Sequence, residues 1–238
     1  MGAVGKGSNG TETFIGFDGK DDDGKHLKWW VESKDVSNLD EWDDNLTDAE
    51  KSAIFGWVLS DYAAFQSLYN EEWDNLPDWQ KKKIAALYEA LNKFELKKGI
   101  TVNRATDFQI FDGYKGKMTE QQVRDFLMNE TDGGLVQSNG FMSFSTRPNG
   151  VPVTKSSLVI HLNVPPNKGL GAYISTPQSG DNLDEREYLT NTNSVLKFDP
   201  KSVRTENGKI HVNARLVGRA QMQTIDSKND SKFSKKKK

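Results

Sequence analysis

The period of the apolar residues changes once along this chain, and that change limits the folds open to it more than any other feature. Up to about residue 134 apolar positions recur at helical spacing; beyond it they come in short runs separated by Pro, Gly and Asn turns. Thr47-Asp48-Ala49-Glu50 is a capping box, in which the Thr hydroxyl and Glu carboxylate satisfy orphan backbone donors reciprocally. Ile54, Trp57, Val58, Tyr62, Phe65 and Tyr69 follow at helical spacing and predict one amphipathic helix with an aromatic face. After the Asn75-Leu76-Pro77 break, Asp78 caps a second predicted helix, striped by Ile84, Leu87, Leu91 and Phe94 and ending near Lys98-Gly99. Ile100 to Arg104 is a β-type run with an arginine at its end. A second capping box, Thr119 to Gln122, opens a helix with Val123, Phe126 and Leu127 inward, closed by Asp132-Gly133-Gly134.

From there the chain predicts strands: Leu135–Ser138, Phe141–Thr146, Ser157–Val164, Gly171–Ile174, Arg186–Thr190, Val195–Phe198 and Ile210–Val217. In the third of these, Leu158, Ile160, Leu162 and Val164 share one face and His161 takes the other. Helices first and strands after predict an α+β fold. At the ends the pattern is different. Gly- and Asp-rich residues 1–37 read as a polar, flexible lead, although Leu27-Lys28-Trp29-Trp30-Val31 is apolar enough to dock as a short strand or anchor. Asp21-Asp22-Asp23-Gly24 resembles a piece of a calcium loop but lacks the spaced ligands and terminal Glu. Residues 227–238 end in four lysines and read as a basic, disordered tail, which leaves 38–226 as the folded domain.

Composition narrows the function classes. The mean hydropathy of -0.72 is low, yet 6 Trp and 12 Phe supply enough bulk for a real core. A net charge of -2 argues against nucleic acid or an anionic membrane as partner. With no cysteine there is no disulfide, zinc-thiolate site or thiol nucleophile. His26, His161 and His211 lack metal-ligand spacing, so no metal is expected. The first residues lack a secretory h-region, position 6 is Lys rather than the Ser/Thr of a myristoylation site, and no run is long enough to span a bilayer.

The chemistry-bearing stretch is Asp184-Glu185-Arg186-Glu187-Tyr188-Leu189. In an extended strand, residues i and i+2 point to one face, so Glu185 and Glu187 are expected to project together. Alone, such a pair is two solvated charges on an edge strand. Here it closes an ordered set: Arg104 at a strand end, then Ser143-Phe144-Ser145, then Glu185-Arg186-Glu187 about forty residues later. That order resembles the Arg-Ser-Glu class of mono-ADP-ribosyltransferases, which includes clostridial actin-modifying binary toxins, C3-like exoenzymes and bacterial and phage effectors. The resemblance runs from about Thr47 to Phe198 and includes two further stretches. Val164-Pro165, Lys168-Gly169 and Gly171-Ala172-Tyr173-Ile174 resemble the family's strand entry; Glu187-Tyr188-Leu189 with Asn193 to Phe198 resembles its catalytic strand and the next.

The resemblance implies a helical N-terminal half packed on a mixed, largely antiparallel β-sandwich core, with NAD as a consumed co-substrate. It implies that Glu187 is the catalytic carboxylate, that Ser143 holds it and the nicotinamide-side ribose, and that Arg104 grips the pyrophosphate. It implies cofactor contacts from Ser145 and Phe141, and that Trp57, Tyr62 and Gln66, at the spacing of a family Tyr, Tyr and Asn, line the adenine and phosphate side. Residues 175–184 would face the acceptor and 149–155 would cover the nicotinamide. Glu185 implies an arginine acceptor, because family members with Gln there modify Asn or Gln. A charged guanidinium is a poor nucleophile, and a carboxylate can orient it and take its proton.

The implied partner is a target protein carrying that arginine, actin or another host protein, reached through a delivery partner, a secretion system or a phage particle. The chain departs from the pattern at Phe144, at Asn103 in place of the usual Tyr, at Ala105 and at Leu183. These departures keep open a non-catalytic binding or virion-structural module. A glycosidase is disfavoured, since its carboxylates flank the sugar from opposite sides.

Overall fold

The computed structural model describes residues 4–6, 13–15, 31, 34–59, 62–69, 73–111, 116–147, 156–174 and 186–220. In the upstream region two short strands, β1 (Val4–Lys6) and β2 (Thr13–Ile15), pair with each other, and Ile15 pairs in parallel with Ile100. Burial begins before residue 38: Val31 and Val36 lie in the core, and Ser37 bridges to Leu96. Of the apolar stretch Leu27 to Val31, only Val31 is among the described residues.

The helical part begins with α1 (Leu39–Asp44), whose Trp42 indole donates to the Ala90 carbonyl at 2.7 Å and meets Phe94 edge-on. The first capping box forms as expected, with Thr47 N–H on Glu50 Oε2 at 2.7 Å and Glu50 N–H on Thr47 Oγ1 at 3.3 Å. The single long helix expected after it is instead two: α2 (Asp48–Leu59), then α3 (Tyr62–Gln66) running into a 3-10 turn at Ser67–Tyr69. Ser60-Asp61 separates them, two residue types that favour helix ends over interiors.

Next comes α4 (Asp78–Lys93), with Asp78 as its first helical residue and Pro77 at the cap position. It stops five residues short of Lys98. Phe94 is fully buried in an extended conformation (φ -73°, ψ 135°), since packing its ring against Trp42 outweighs one more helical turn. Lys93 reaches back to Glu50 at 2.6 Å, tying the end of α4 to the start of α2. The second capping box opens α5 (Glu120–Asn129). Gly133 and Gly134, both at positive φ, then turn the chain into the sheet; a Cβ on Gly134 would lie 2.4 Å from the Phe198 carbonyl oxygen.

Between and after these helices lie β3 (Glu95–Leu96), β4 (Ile100–Thr106), β5 (Leu135–Gln137), β6 (Met142–Ser145), β7 (Leu158–Val164), β8 (Asn167–Lys168) and β9 (Gly171–Tyr173). The series ends with β10 (Glu187–Thr190), β11 (Ser194–Phe198), β12 (Arg204–Glu206) and β13 (Lys209–Arg219). The main sheet runs β5-β11-β13-β7-β4-β6-β10-β9 and is mixed: β7 and β13 are parallel, and the other neighbours in this order are antiparallel. Strand β4 pairs with β7 over seven residues but with β6 only at Asn103–Ser145. That narrow seam divides the sheet into a large and a small part, in keeping with the expected α+β, sandwich-like core.

Strands β3, β8 and β12 were too short or too polar to carry a period-2 signal. By contrast, Leu158, Ile160, Leu162 and Val164 are all fully buried, as their alternation predicts. Across the helix-sheet boundary, the Asn191 amide donates to Asn92 Oδ1 at 3.1 Å and to the Gly169 carbonyl at 3.2 Å, fixing β10 relative to α4.

Candidate active site

Three adjacent strands carry the Arg-Ser-Glu set. Arg104 is on β4, Ser143 and Ser145 on β6, and Glu187 opens β10. The β6–β10 register sets Glu187 opposite Ser145 and Leu189 opposite Ser143, so these four share one face of the sheet. The serine directly across from Glu187 is therefore Ser145, and Ser143 stands one pair further along. Strand β4 continues two residues past Arg104, so the arginine sits inside the strand rather than at its end.

Arg104 is half-buried, and its Nη1 donates to the Ser143 carbonyl at 2.8 Å. That bond pins the guanidinium across the seam while the rest of its fork stays available for an anion. Glu187 is 6% exposed, a rare burial for a carboxylate. Its Oε1 accepts a hydrogen bond from Trp57 Nε1 at 2.9 Å. Trp57 is itself 3% exposed and meets the rings of Phe65 and Phe141 edge-on at 5.6 and 5.8 Å. Trp57, expected to line the adenine and phosphate side, thus stands against the Glu187 carboxylate, and Phe141, 1% exposed, is part of the same aromatic brace. Gln66 is half-buried on α3; Tyr62 begins that helix, and its side chain is outside the described residues.

The pairing of Glu185 with Glu187 by strand geometry does not hold. Strand β10 begins at Glu187, and Arg186 before it has φ 48°, in the left-handed region. The chain is not extended through Arg186, so the i, i+2 rule has no strand to act on. Glu185 lies outside the described residues, as do the loop segments 149–155 and 175–184.

A second polar cluster, absent from the sequence reading, lies beside the first. Asn103, 5% exposed, donates from Nδ2 to the Arg147 carbonyl at 2.6 Å, while Ser145 Oγ accepts from Arg147 N–H at 3.1 Å. Both groups hold the residue from which the 149–155 segment departs. With its amide so oriented, Asn103 Oδ1 accepts from His161 Nδ1 at 2.6 Å, and His161 Nε2 meets His211 Nδ1 at 2.9 Å in a stacked pair. Burial, with His211 and Arg204 nearby, pushes the His161 pKa down to about 4. Burial also lowers that of His211, opposed by Glu206. Fifty positions separate the two histidines, so no local spacing could have announced them. Among the described residues no group of three His, Cys, Asp or Glu could hold a metal ion.

The model of the ADP-ribosyltransferase exoenzyme family matches residues 32–219. The chain belongs to that family. It is therefore an enzyme with mono-ADP-ribosyltransferase activity and NAD as co-substrate, and the reading as a non-catalytic module loses its support. The donor set fits that substrate, with a cationic fork, hydroxyls and a braced carboxylate on neighbouring strands.

Similar solved structures include Plx2a, an ADP-ribosyltransferase toxin from Paenibacillus larvae, at 25% identity and TM-score 0.63 over 75% of this chain and 90% of that one. The enzymatic component C2-I of the C2 toxin from Clostridium botulinum matches at 22% identity and TM-score 0.58, over 82% of this chain and 47% of that one. C3stau2 from S. aureus, solved with NAD, matches at 16% and TM-score 0.55, over 77% and 97%. The last two likenesses concern the fold alone. A comparison with curated protein sequences finds no match. No helix among the described residues is long and apolar enough to cross a membrane.

Proposed function

We propose that this family member transfers ADP-ribose from NAD to an arginine on a target protein and slowly hydrolyses NAD when no acceptor is bound. The observation that carries the reading is the buried Glu187 carboxylate, held by Trp57 on the face that also bears Ser143 and Ser145. In the reaction the bond between the nicotinamide nitrogen and ribose C1′ breaks, and nicotinamide leaves with the bonding pair. Positive charge develops on the ribose, and a fixed carboxylate beside it stabilises what exists only in the transition state. The acceptor nitrogen then bonds to C1′ and loses its proton.

Each residue has a part in this. Glu187 supports the charged ribose and accepts from its hydroxyl. Ser143 and Ser145 position the carboxylate and the nicotinamide-side ribose, and Arg104 binds the pyrophosphate through its remaining N–H groups. Phe141 supports this pocket from the core; Tyr62 and Gln66 extend it toward the adenine. Glu185 orients the acceptor guanidinium and takes its proton, as its residue type supports. A host protein fits the acceptor class, since Plx2a is named as an ADP-ribosyltransferase toxin; actin is one such protein that the Arg-Ser-Glu resemblance implies.

The test is incubation with labelled NAD and a cell lysate, followed by mass spectrometry of the modified residue. Label on arginine, lost in Glu187→Gln, is the expected result. Modification confined to other residue types would overturn the acceptor, and an equally active Glu187→Gln would overturn the site. Glu185→Gln should abolish transfer to arginine while leaving much of the NAD hydrolysis; equal loss of both would count against its acceptor role.

A further inference from the structure

We infer that Trp57 is a positioning residue for the catalytic carboxylate: its indole N–H locks Glu187 in the orientation from which the second carboxylate oxygen meets the ribose. The inference rests on Glu187 being the catalytic group and goes beyond it in assigning what holds that group. An indole nitrogen only donates, so the contact at 2.9 Å keeps Oε1 as an acceptor without any choice of tautomer or amide flip.

The donor is not free to move. Trp57 stands on α2 among three mutually edge-on rings, with Phe65 and Phe141 6.3 Å apart completing the triangle. Helix α2 is in turn fixed at its start by the Thr47–Glu50 box and the Lys93 ion pair. On the other side, the Glu187 carbonyl accepts from Ile174 N–H at 3.0 Å, which seats the residue on the small part of the sheet. The indole therefore joins the helical layer to the reacting carboxylate by one directional bond. A glutamate side chain has three rotatable bonds, and holding it before NAD arrives removes an entropic cost from the chemical step.

The residues also exclude the plain reading of Trp57 as core filler. A Leu or Phe would fill the same space, yet the one polar atom of the side chain is spent on the one buried carboxylate of this strand group.

The experiment is Trp57→Phe, which keeps a buried ring and removes the N–H, measured alongside Glu187→Gln and Val123→Ala. For NAD hydrolysis, Trp57→Phe should lower kcat about tenfold or more, leave KM for NAD within about twofold, and move the acid limb of the kcat profile to higher pH, because the carboxylate loses a donor that favours its ionised form. Val123→Ala opens the core under α5, away from the donor and its brace; it should lower the melting temperature while kcat and its pH profile stay close to those of the parent. A Trp57→Phe enzyme with unchanged kcat and pH profile would overturn the inference, as would a Val123→Ala enzyme with the same kinetic losses. If Glu187→Gln is inactive and Trp57→Phe is unaffected, only the role of Trp57 falls; if Glu187→Gln is fully active, the site reading itself falls.

Should Trp57→Phe fail to fold, indole nitrogen-15 spectra of parent and Glu187→Gln protein decide. A shift in one of the six Trp N–H signals supports the bond, and six unmoved signals refute it.

Discussion

Two buried polar clusters sit on either side of the β4–β6 seam, and they are built on opposite electrostatic principles. In the Glu187 cluster a donor is fixed on an acceptor: Trp57 supplies its N–H to the carboxylate, while Arg104, two strands away, donates to the Ser143 carbonyl. The His161 cluster is a chain of neutral groups running from Asn103 through His161 to His211, flanked by Arg204. The first gives a buried carboxylate a donor in place of the water that burial removes. The second works only while its rings remain uncharged, since Asn103 fixes the proton on His161 Nδ1 and leaves Nε2 as the acceptor. Neighbouring residues of one strand, Asn103 and Arg104, thus hold different partners, one in the pH-sensitive histidine chain and the other beside the strand group proposed to carry the chemistry.

The largest effect that separates them should come from Glu187→Gln. Its loss of a transition-state carboxylate predicts a fall in NAD hydrolysis of about a hundredfold or more, with calorimetric NAD affinity little changed. Retained turnover would dissolve the contrast, because the Glu187 cluster would then be as structural as its neighbour.

Arg104→Lys should follow, with a different signature. Lysine keeps the charge but not the fork, so both the Ser143 carbonyl and the pyrophosphate lose a directed partner. Weakening one charge-assisted contact corresponds to a rise of about ten- to a hundredfold in KM for NAD. A change confined to kcat would instead place Arg104 with the chemistry rather than with binding.

What could be read from sequence follows from the range of the interactions. Capping boxes at Thr47 and Thr119 act within three residues and were legible, as was the alternation in β7, where each inward residue is buried by the same physics that sets the pattern. Arg104, Ser143 and Glu187 were expected together from the order of the set, and the structure puts them on three adjacent strands, β4, β6 and β10. The bond from Trp57 to Glu187 was not legible, because its partner is 130 residues away and helical spacing says nothing of what a helix packs against. The i, i+2 argument for Glu185 and Glu187 failed on one residue: Arg186 at φ 48° ends the extended geometry that it assumes. His161 and His211 meet only through the parallel pairing of β7 with β13, a contact that no local window contains.

The pH dependence of stability should come from the histidine cluster. His161 titrates at about 4 in the folded chain, against 6.5 unfolded, so between those values the unfolded chain binds more protons. Its contribution is complete above pH 6.5 and is lost as the pH falls toward 4. Thermal unfolding from pH 7.5 to 4.5 should therefore show a steep decline that is shallower in His161→Gln, by at most about 1.4 kcal/mol per pH unit. Parallel curves for the two proteins would show that the chain is held together by something other than neutral rings.

The smallest effect tests whether the clusters talk. Asn103 touches both, through His161 on one side and the Arg147 carbonyl on the other, and Arg147 leads into the 149–155 segment proposed to cover the nicotinamide. Replacing it by alanine removes one hydrogen bond to each, and a bond of about 1 kcal/mol corresponds to about a fivefold change in an equilibrium constant. If Arg147 is held in place for NAD, Asn103→Ala should raise KM by about that factor without altering kcat. His161→Gln should then raise KM by a smaller amount, and the double variant should fall short of the product of the two, because both act through the same amide. If instead KM is untouched by either change while stability falls in both, the seam between the two parts of the sheet insulates the reaction from the histidines. Two clusters one residue apart on β4 would then be energetically separate because their side chains are committed to different partners, and adjacency along a strand would carry no coupling.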